Sequence, residues 1–353
     1  GAAATGPSPG GAPADHPTAD TTPGSRATAV RARRAGNAPA SLAFPSLRPP
    51  DDIEHVVRTV RAELARLERL VEVRPSPTGS LHFGSLVSAV ASYLDARHHD
   101  GLWFVRIEDV DKPREKPGSA TSILSALESF GMQWDGEVLF QSRRHDAYRD
   151  AIDRLLHDRK AFHCSCSRKR LAEESSPGEQ GLIYPGTCRD GHDASATQLS
   201  VRLLTDNETV HFDDRILGPR TQEIEREVGD FVIRRADGFH AYQLAVVVDD
   251  AFQEITHIVR GEDLLFSTAR QIRLQHALGY PTPSYAHHPL VRDGSGHKLG
   301  KSTSAWPVET EDPLGTLGRV LAFLNQEPVE ADTIDAFWRQ AVAGWKIEAL
   351  RHA

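Results

Sequence analysis

Apolar residues recur every three to four positions in some stretches of the chain and run together in short blocks in others, and the two patterns alternate. Ile53, Val56, Val57, Val60, Leu64, Leu67 and Leu70 fit one face of a helix, opened by Asp51 and Asp52 after Pro49 and Pro50. A strand is expected over 70–74, with neither glycine nor proline to separate it from that helix. A Pro/Gly-rich loop follows, then a helix through Leu86, Val90 and Leu94 that ends near Gly101, and a strand over 102–107 that closes on Glu108, Asp109 and Asp111. Strand, helix, strand predicts a parallel crossover. Helices through Ile123, Leu127 and Phe130, stopped by Gly131, and through Tyr148, Ile152 and Leu155 precede a strand over 161–166. The rhythm breaks over 167–220, where a loop from Ser175 to Gly191 and short strands near Val201 and Val210 suggest an inserted subdomain. From Phe231 it resumes with a hairpin at Asp237 and Gly238, a helix from Tyr242 and a strand ending at Arg260. The pattern predicts an α/β fold on a parallel sheet, without internal repeats.

Composition sets the limits of that domain. Residues 1–50 are dominated by Gly, Ala, Pro and Thr with scattered arginines (Arg26, Arg31, Arg33, Arg34) and bury too little apolar surface to offset chain entropy. They are expected to be a disordered leader; a transit peptide or basic RNA-binding arm ranks lower, because serine is sparse and the basic run is short. The division expected is therefore leader 1–50, amphipathic helix 51–70, α/β domain 71–325 with an insert at about 161–220, and helical tail 326–353. Against 41 Lys plus Arg stand 49 Asp plus Glu, so no whole-molecule field draws the 353 residues to nucleic acid or anionic membrane. RNA contacts must rest on local patches. No apolar run approaches the roughly 20 residues of a membrane span, nor is there a secretory start, so a cytoplasmic location is expected.

Two loops carry candidate nucleotide chemistry. Arg74 to Ser85 (RPSPTGSLHFGS) places a Gly- and Pro-shaped turn between a strand and a helix. A helix N-terminus offers free N–H groups to an anion, small residues such as Gly84 and Ser85 admit a nucleotide, and His82 can donate to phosphate oxygens. Asp293 to Ser302 (DGSGHKLGKS) is Gly-rich and carries Lys298 and Lys301, charges suited to a triphosphate. Each alone is weak: a structural histidine in a βα turn, or a solvated lysine loop, is commonplace.

Together, in this order and a domain's length apart, His82-Phe83-Gly84-Ser85 and Lys298-Leu299-Gly300-Lys301-Ser302 resemble the HIGH and KMSKS signatures of class I aminoacyl-tRNA synthetases. Between them VRIED (105–109), AYQLAVVVDD (241–250) and IVRGED (258–263) are similar to blocks of the glutamate-specific branch, and the resemblance covers roughly 70–325. It implies a Rossmann-like parallel-sheet catalytic domain, in which His82, Lys298 and Lys301 serve catalysis and His82, Phe83, Gly84, Ser85 and Lys301 hold ATP. Magnesium would arrive with the ATP, bound mainly through phosphates, with no protein ligand named. Glutamate would be held by Ser76, Glu108, Tyr242 and Arg260: a cation for a carboxylate, an anion for the ammonium. The residues alone leave open a mutual ion pair between Glu108 and Arg260. Two positions depart from the family pattern. Glu72 stands where the family has arginine, with Arg74 as its substitute from a neighbouring position, and Gly300 stands where a serine is usual.

Three cysteines, Cys164, Cys166 and Cys188, fall in one stretch, an odd number that argues against a disulfide framework and for a structural zinc. Spacing alone leaves the fourth ligand open, with His163 and His192 both near. Resemblance to the glutamyl-queuosine tRNA(Asp) synthetases implies Tyr184 instead, beside the three cysteines. After Ser302 no second domain to read an anticodon fits in Pro313 to Ala353, which also points to that family. The expected partners are then ATP, L-glutamate and tRNA(Asp) bearing queuosine, acting on a monomer. The alternatives are a minimal glutamyl-tRNA synthetase charging tRNA(Glu), and a catalytically impaired relative that binds RNA or protein.

Overall fold

A computed structural model describes residues 68–110, 115–179, 181–292 and 308–352. The leader, all but the end of the helix expected over 51–70, and Lys298 and Lys301 lie outside the described residues. The chain runs β1 (Leu70–Val73), α1 (Phe83–His98), β2 (Leu102–Ile107), α2 (Ser119–Ser129), β3 (Leu139–Phe140), α3 (His145–His157), β4 (Ala161–Cys164), α4 (Arg168–Glu174), β5 (Ser176–Gly178), β6 (Gly181–Ile183), β7 (Ser200–Leu203), β8 (Thr209–Asp214), β9 (Gly218–Glu223), α5 (Ile224–Glu227), β10 (Val232–Arg234), α6 (Tyr242–Phe252), β11 (His257–Gly261), α7 (Leu265–Leu278), β12 (Ser284–His288), α8 (Pro313–Phe323) and α9 (Ile334–Gly344).

Seven strands form the main sheet in the order β3-β2-β1-β11-β12-β8-β9, with every neighbouring pair parallel except β8 and β9. From β1 the chain moves outward through α1 to β2 and β3, and later returns on the other side of β1 as β11 and β12. The strand order therefore reverses between β1 and β11. In open α/β sheets that switch point is where strand ends part to leave a crevice.

Central strands are covered on both faces, and so read as apolar blocks rather than alternating ones. Leu70 to Val73 are all buried, including Glu72. α1 is buried along most of its length, from Leu86 to Ala96, because the sheet lies on one side and α8 and α9 on the other. Trp338 of α9 donates its indole N–H to the carbonyl of Phe130 at 2.8 Å, and its ring meets Tyr93 of α1 at 4.7 Å. Gly131 does stop α2: its φ is 68°, and a Cβ there would lie 2.3 Å from Ile334.

A separate three-stranded sheet, β10-β7-β4, is antiparallel, and β5 and β6 form a hairpin beside it. It draws on β10, beyond residue 220. β8 and β9, the strands around Val210, extend the main sheet instead through Tyr285 and Asp214. No described helix is long and apolar enough to cross a membrane.

Candidate active site

A cleft of about 800 Å³ opens at the carboxyl ends of β1, β2, β11 and β12, at the switch point. Arg74, Ser76, His82, Gly84, Ser85, Glu108, Tyr242 and Arg260 all line it. Phe83 does not; it packs against the hydrophobic core. His82 is the N-cap of α1: its Nδ1 accepts the Ser85 N–H at 3.3 Å, and its Nε2 lies 2.8 Å from the Ser85 hydroxyl. A ring acceptor at that position orders the first turn, whose backbone donors face the cleft. Leu290 and Val291 also line the cleft, and Val308 donates its N–H to the Leu81 carbonyl at 3.1 Å.

The floor at the β1 end is a buried charge quartet. Arg106 Nη2 lies 2.6 Å from Glu72 and 2.7 Å from Asp250, while Arg74 lies 3.2 Å from Glu72 and 3.6 Å from Asp250. Burial pushes the Glu72 carboxyl well above the usual range, whereas for Asp250 the opposing burial is outweighed by Arg106 and Arg74, which hold it ionised. Two guanidiniums and two carboxyls thus share the floor, and Asp250 is paired with both guanidiniums. Neither Nη of Arg74 has a hydrogen-bond partner although both are buried. Where the resemblance leads one to expect arginine at position 72 the cleft has Glu72, and Arg74, paired with it, lines the same cleft.

Arg260 sits across the cleft, 4% exposed. Its Nε donates to His287 at 3.0 Å, Nη1 to Gln271 at 2.8 Å, and Nη2 to Thr268 at 2.8 Å and to the Leu264 carbonyl at 3.3 Å. None of these acceptors is an anion. Among the described residues no ion pair joins Arg260 to Glu108, so the mutual pair left open by the sequence is not formed. Glu108 accepts from Ser76 at 3.4 Å through one oxygen, and its other oxygen is buried and without a hydrogen-bond partner. Burial raises its pKa, against the pull of Arg74 and Arg106. A buried cation lacking an anion, unpaired guanidinium donors and an unpaired carboxylate oxygen share one cavity, and burying them so is costly unless a ligand completes the pairs.

In the small sheet, Cys164, Cys166 and Cys188 bring their Sγ atoms within 4.8 Å of one another, in a group able to hold a metal ion. Cys166 and Cys188 Sγ are 3.6 Å apart, and the Tyr184 hydroxyl lies 3.4 Å from Cys164 and 3.8 Å from Cys166. His163 and His192 pair with each other, rings 6.0 Å apart, and are not in the group. Arg202 donates to Cys164 at 3.3 Å and stacks 3.9 Å from the Tyr184 ring. Burial resists ionisation of Cys164, but Tyr184, Cys166 and Arg202 bring its thiol down to about 7; burial and Cys188 push Cys166 up to about 11. Three sulfurs gathered at this spacing are a donor set suited to a soft cation.

Several residues that back the cleft lining were not singled out from the sequence: Arg106, Asp250, His287 and Asp214. Their signal was present. Each is a charged or imidazole residue inside an otherwise apolar run, in LWFVRI, AVVVDD and SYAHH or at the end of β8, and buried charge inside an apolar block is found paired or liganded.

A model of the class I tRNA synthetase (E and Q) catalytic domain matches residues 70–317. The Glutamyl-Q tRNA(Asp) synthetase of Aromatoleum aromaticum is 50% identical over 276 residues, which make up 77% of this chain and 87% of that protein. The protein of the same name from Janthinobacterium sp. (strain Marseille) is 50% identical over 278 residues, 77% of this chain and 94% of its own length. The crystal structure of a glutamate-tRNA synthetase from Elizabethkingia anophelis superposes with a TM-score of 0.66 at 23% identity, over 81% of this chain and 67% of that one, a likeness of fold. With half of its aligned residues shared along most of the length of two such relatives, the chain belongs to the glutamyl-Q tRNA(Asp) synthetase family of class I tRNA synthetases.

Proposed function

We propose that the protein activates L-glutamate with ATP and transfers the glutamyl group to the queuosine base in the anticodon of tRNA(Asp), as a cytoplasmic monomer. The supporting observation is the unmet pairing in the cleft: Arg260 hydrogen-bonds to no anion, both buried Nη atoms of Arg74 lack a hydrogen-bond partner, and one oxygen of Glu108 lacks a donor. A glutamate zwitterion supplies two carboxylates and one ammonium. Ser76 and Tyr242 line the same cavity and complete the amino-acid end.

ATP lies along the α1 N-terminus, with His82, Gly84 and Ser85 against its phosphates. The glutamate α-carboxylate attacks the α-phosphorus, the bond to the β-phosphate oxygen breaks, and pyrophosphate leaves with that electron pair. Lys298 and Lys301 supply positive charge where it accumulates. Magnesium accompanies the triphosphate. A nucleophile of the queuosine base then attacks the glutamyl carbonyl and AMP leaves.

The cysteine group fits a structural zinc. A Zn–S distance of about 2.3 Å in a tetrahedron sets neighbouring sulfurs roughly 3.8 Å apart, close to the spacing observed. Cys164, Cys166, Cys188 and Tyr184 would be its ligands, and Arg202 would offset the excess anionic charge. Zinc there would close the loops of the small sheet.

The direct test is glutamate-dependent exchange of pyrophosphate into ATP without any tRNA, followed by transfer to tRNA(Asp) with and without queuosine. Exchange without tRNA and transfer only to the queuosine form are expected. Charging of unmodified tRNA(Glu) would instead mark a minimal glutamyl-tRNA synthetase, and binding without exchange a protein that is not an enzyme.

Acid should weaken glutamate binding specifically. An ammonium needs the Glu108 carboxylate, and burial lets this carboxyl keep its proton to higher pH than an ordinary one. Affinity is full above the raised pKa and falls as pH drops through it, about tenfold per unit below. The KM for glutamate should carry that slope while the KM for ATP does not, and Glu108→Gln should flatten it at a high KM. An identical slope for both substrates would remove Glu108 from the site.

A further inference from the structure

We infer that His287 and Asp214 are positioning residues for the amino-acid site: a carboxylate and an imidazole in series that hold the Arg260 guanidinium in place without cancelling its charge. The inference rests on the proposed role of Arg260 in binding a glutamate carboxylate.

The geometry is a chain of three side chains. Asp214 Oδ2 lies 2.5 Å from His287 Nδ1, and both side chains are fully buried. Asp214 Oδ1 is fixed by backbone N–H groups of Ile216 at 3.0 Å and Leu217 at 2.8 Å. Those bonds leave Oδ2 for the imidazole. A carboxylate accepts only, so Nδ1 carries the proton and Nε2 presents its lone pair. That lone pair faces the Arg260 Nε–H at 3.0 Å and the Thr268 hydroxyl at 3.1 Å. The Tyr285 ring stacks on the imidazole, 6.2 Å between centroids with planes 12° apart, and limits its rotation. Burial, outweighing the Asp214 contact, brings the His287 pKa down to about 4, so the ring stays neutral.

The spacer decides what Arg260 can do. A carboxylate in direct contact with the guanidinium would fix its orientation and also neutralise it, leaving little attraction for a substrate carboxylate. A neutral imidazole supplies the same acceptor without a net charge. Asp214 acts one step away, selecting the tautomer, much as second-shell carboxylates orient metal-bound histidines.

Asp214→Asn tests the relay, because it preserves shape while replacing an acceptor with a donor. The amide N–H would bond to Nδ1 and drive the proton to Nε2, where it confronts the Arg260 Nε–H. Loss of tautomer control by the same exchange is costly in a Ser-His-Asp triad. Imidazole ¹⁵N NMR should show His287 protonated on Nδ1 in the unmodified protein and on Nε2 in Asp214→Asn. In pyrophosphate exchange, Asp214→Asn should raise the KM for glutamate at least tenfold, with the KM for ATP within twofold. His287→Gln places an amide oxygen near Nε2 and has no tautomer to flip, so its KM should stay within about threefold of the unmodified protein. The double variant should then resemble His287→Gln rather than multiply the two effects.

A proton on Nε2 in the unmodified protein overturns the relay, whatever the kinetics. So does a double variant whose loss is the product of the singles, or a KM for ATP that rises in step with that for glutamate. If the tautomer flips as expected but the unmodified protein shows no glutamate-dependent exchange, it is the glutamate reading that fails while the relay stands.

Discussion

Arg260→Leu should lower kcat/KM for glutamate in pyrophosphate exchange by roughly 30- to several-thousand-fold, the equivalent of the 2–5 kcal/mol lost when one partner of a buried hydrogen-bonded charge pair is removed. The folded protein should tolerate the change. All four groups that Arg260 contacts are neutral, so its removal strands no charge, and replacing a buried ion by an apolar side chain is often neutral for stability. Arg106→Leu gives the contrast. It would leave Glu72 and Asp250 buried beside one another with Arg74 as their remaining counterion in the quartet, and should cost about 3–5 kcal/mol of stability before any question of substrate arises. Urea unfolding beside the kinetics separates the two: Arg260→Leu with a normal midpoint and lost exchange supports a substrate cation. Normal exchange in Arg260→Leu would remove the carboxylate partner from the proposed site.

Local pattern carried the parallel core well. The helix through Leu86, Val90 and Leu94, the strand over 102–107, the stop at Gly131 and the hairpin near Gly238 are found where their periodicity and turn residues put them. Each is decided within a dozen residues, by burial of one face or by the φ a glycine permits. Strand partnership is decided elsewhere. Val201 and Val210 sit in similar short strands, yet one belongs to the small sheet and the other to β8, which pairs with β12 in the main one, because Tyr285, some 75 residues beyond Val210, meets Asp214. No spacing reveals that. The cleft divides along the same line. His82, Glu108 and Arg260 were readable as motif residues, but Arg106 and His287 acquire their roles only when β2 meets α6 and β12 meets β11. Glu72 is the sharpest case: in the sequence it is an acid where the resemblance leads one to expect a base, and in the fold it is a buried carboxyl paired with Arg74.

Zinc removal should dissolve the small subdomain while leaving the cleft largely intact. Over 165–199 little apolar surface is buried: α4 contributes no buried residue, the β5-β6 hairpin is mostly exposed, and the local core is Cys164, Tyr184 and Cys188 themselves. That core is made of the proposed ligands. Without a cation its thiols must either remain protonated or crowd as anions, and in neither state do they hold the loop together. Structural zinc contributes about 10–16 kcal/mol in small zinc-binding peptides, as much as an entire domain's stability. Elemental analysis should find about one zinc per chain, because the closed site takes a single ion. After chelation and dialysis, proteolysis should cut rapidly within 167–199, and Cys188→Ser should behave alike without any chelator. Two larger apolar clusters hold the main sheet, the second of them also taking in β4, β7 and β10, and neither shares a residue with the cysteine group. Pyrophosphate exchange should therefore survive within a few-fold once magnesium is restored, so that loss of the loop and loss of activation come apart. A metal-free chain with the same protease resistance over 167–199 would show that the cysteines and Tyr184 hold the fold as ordinary core side chains.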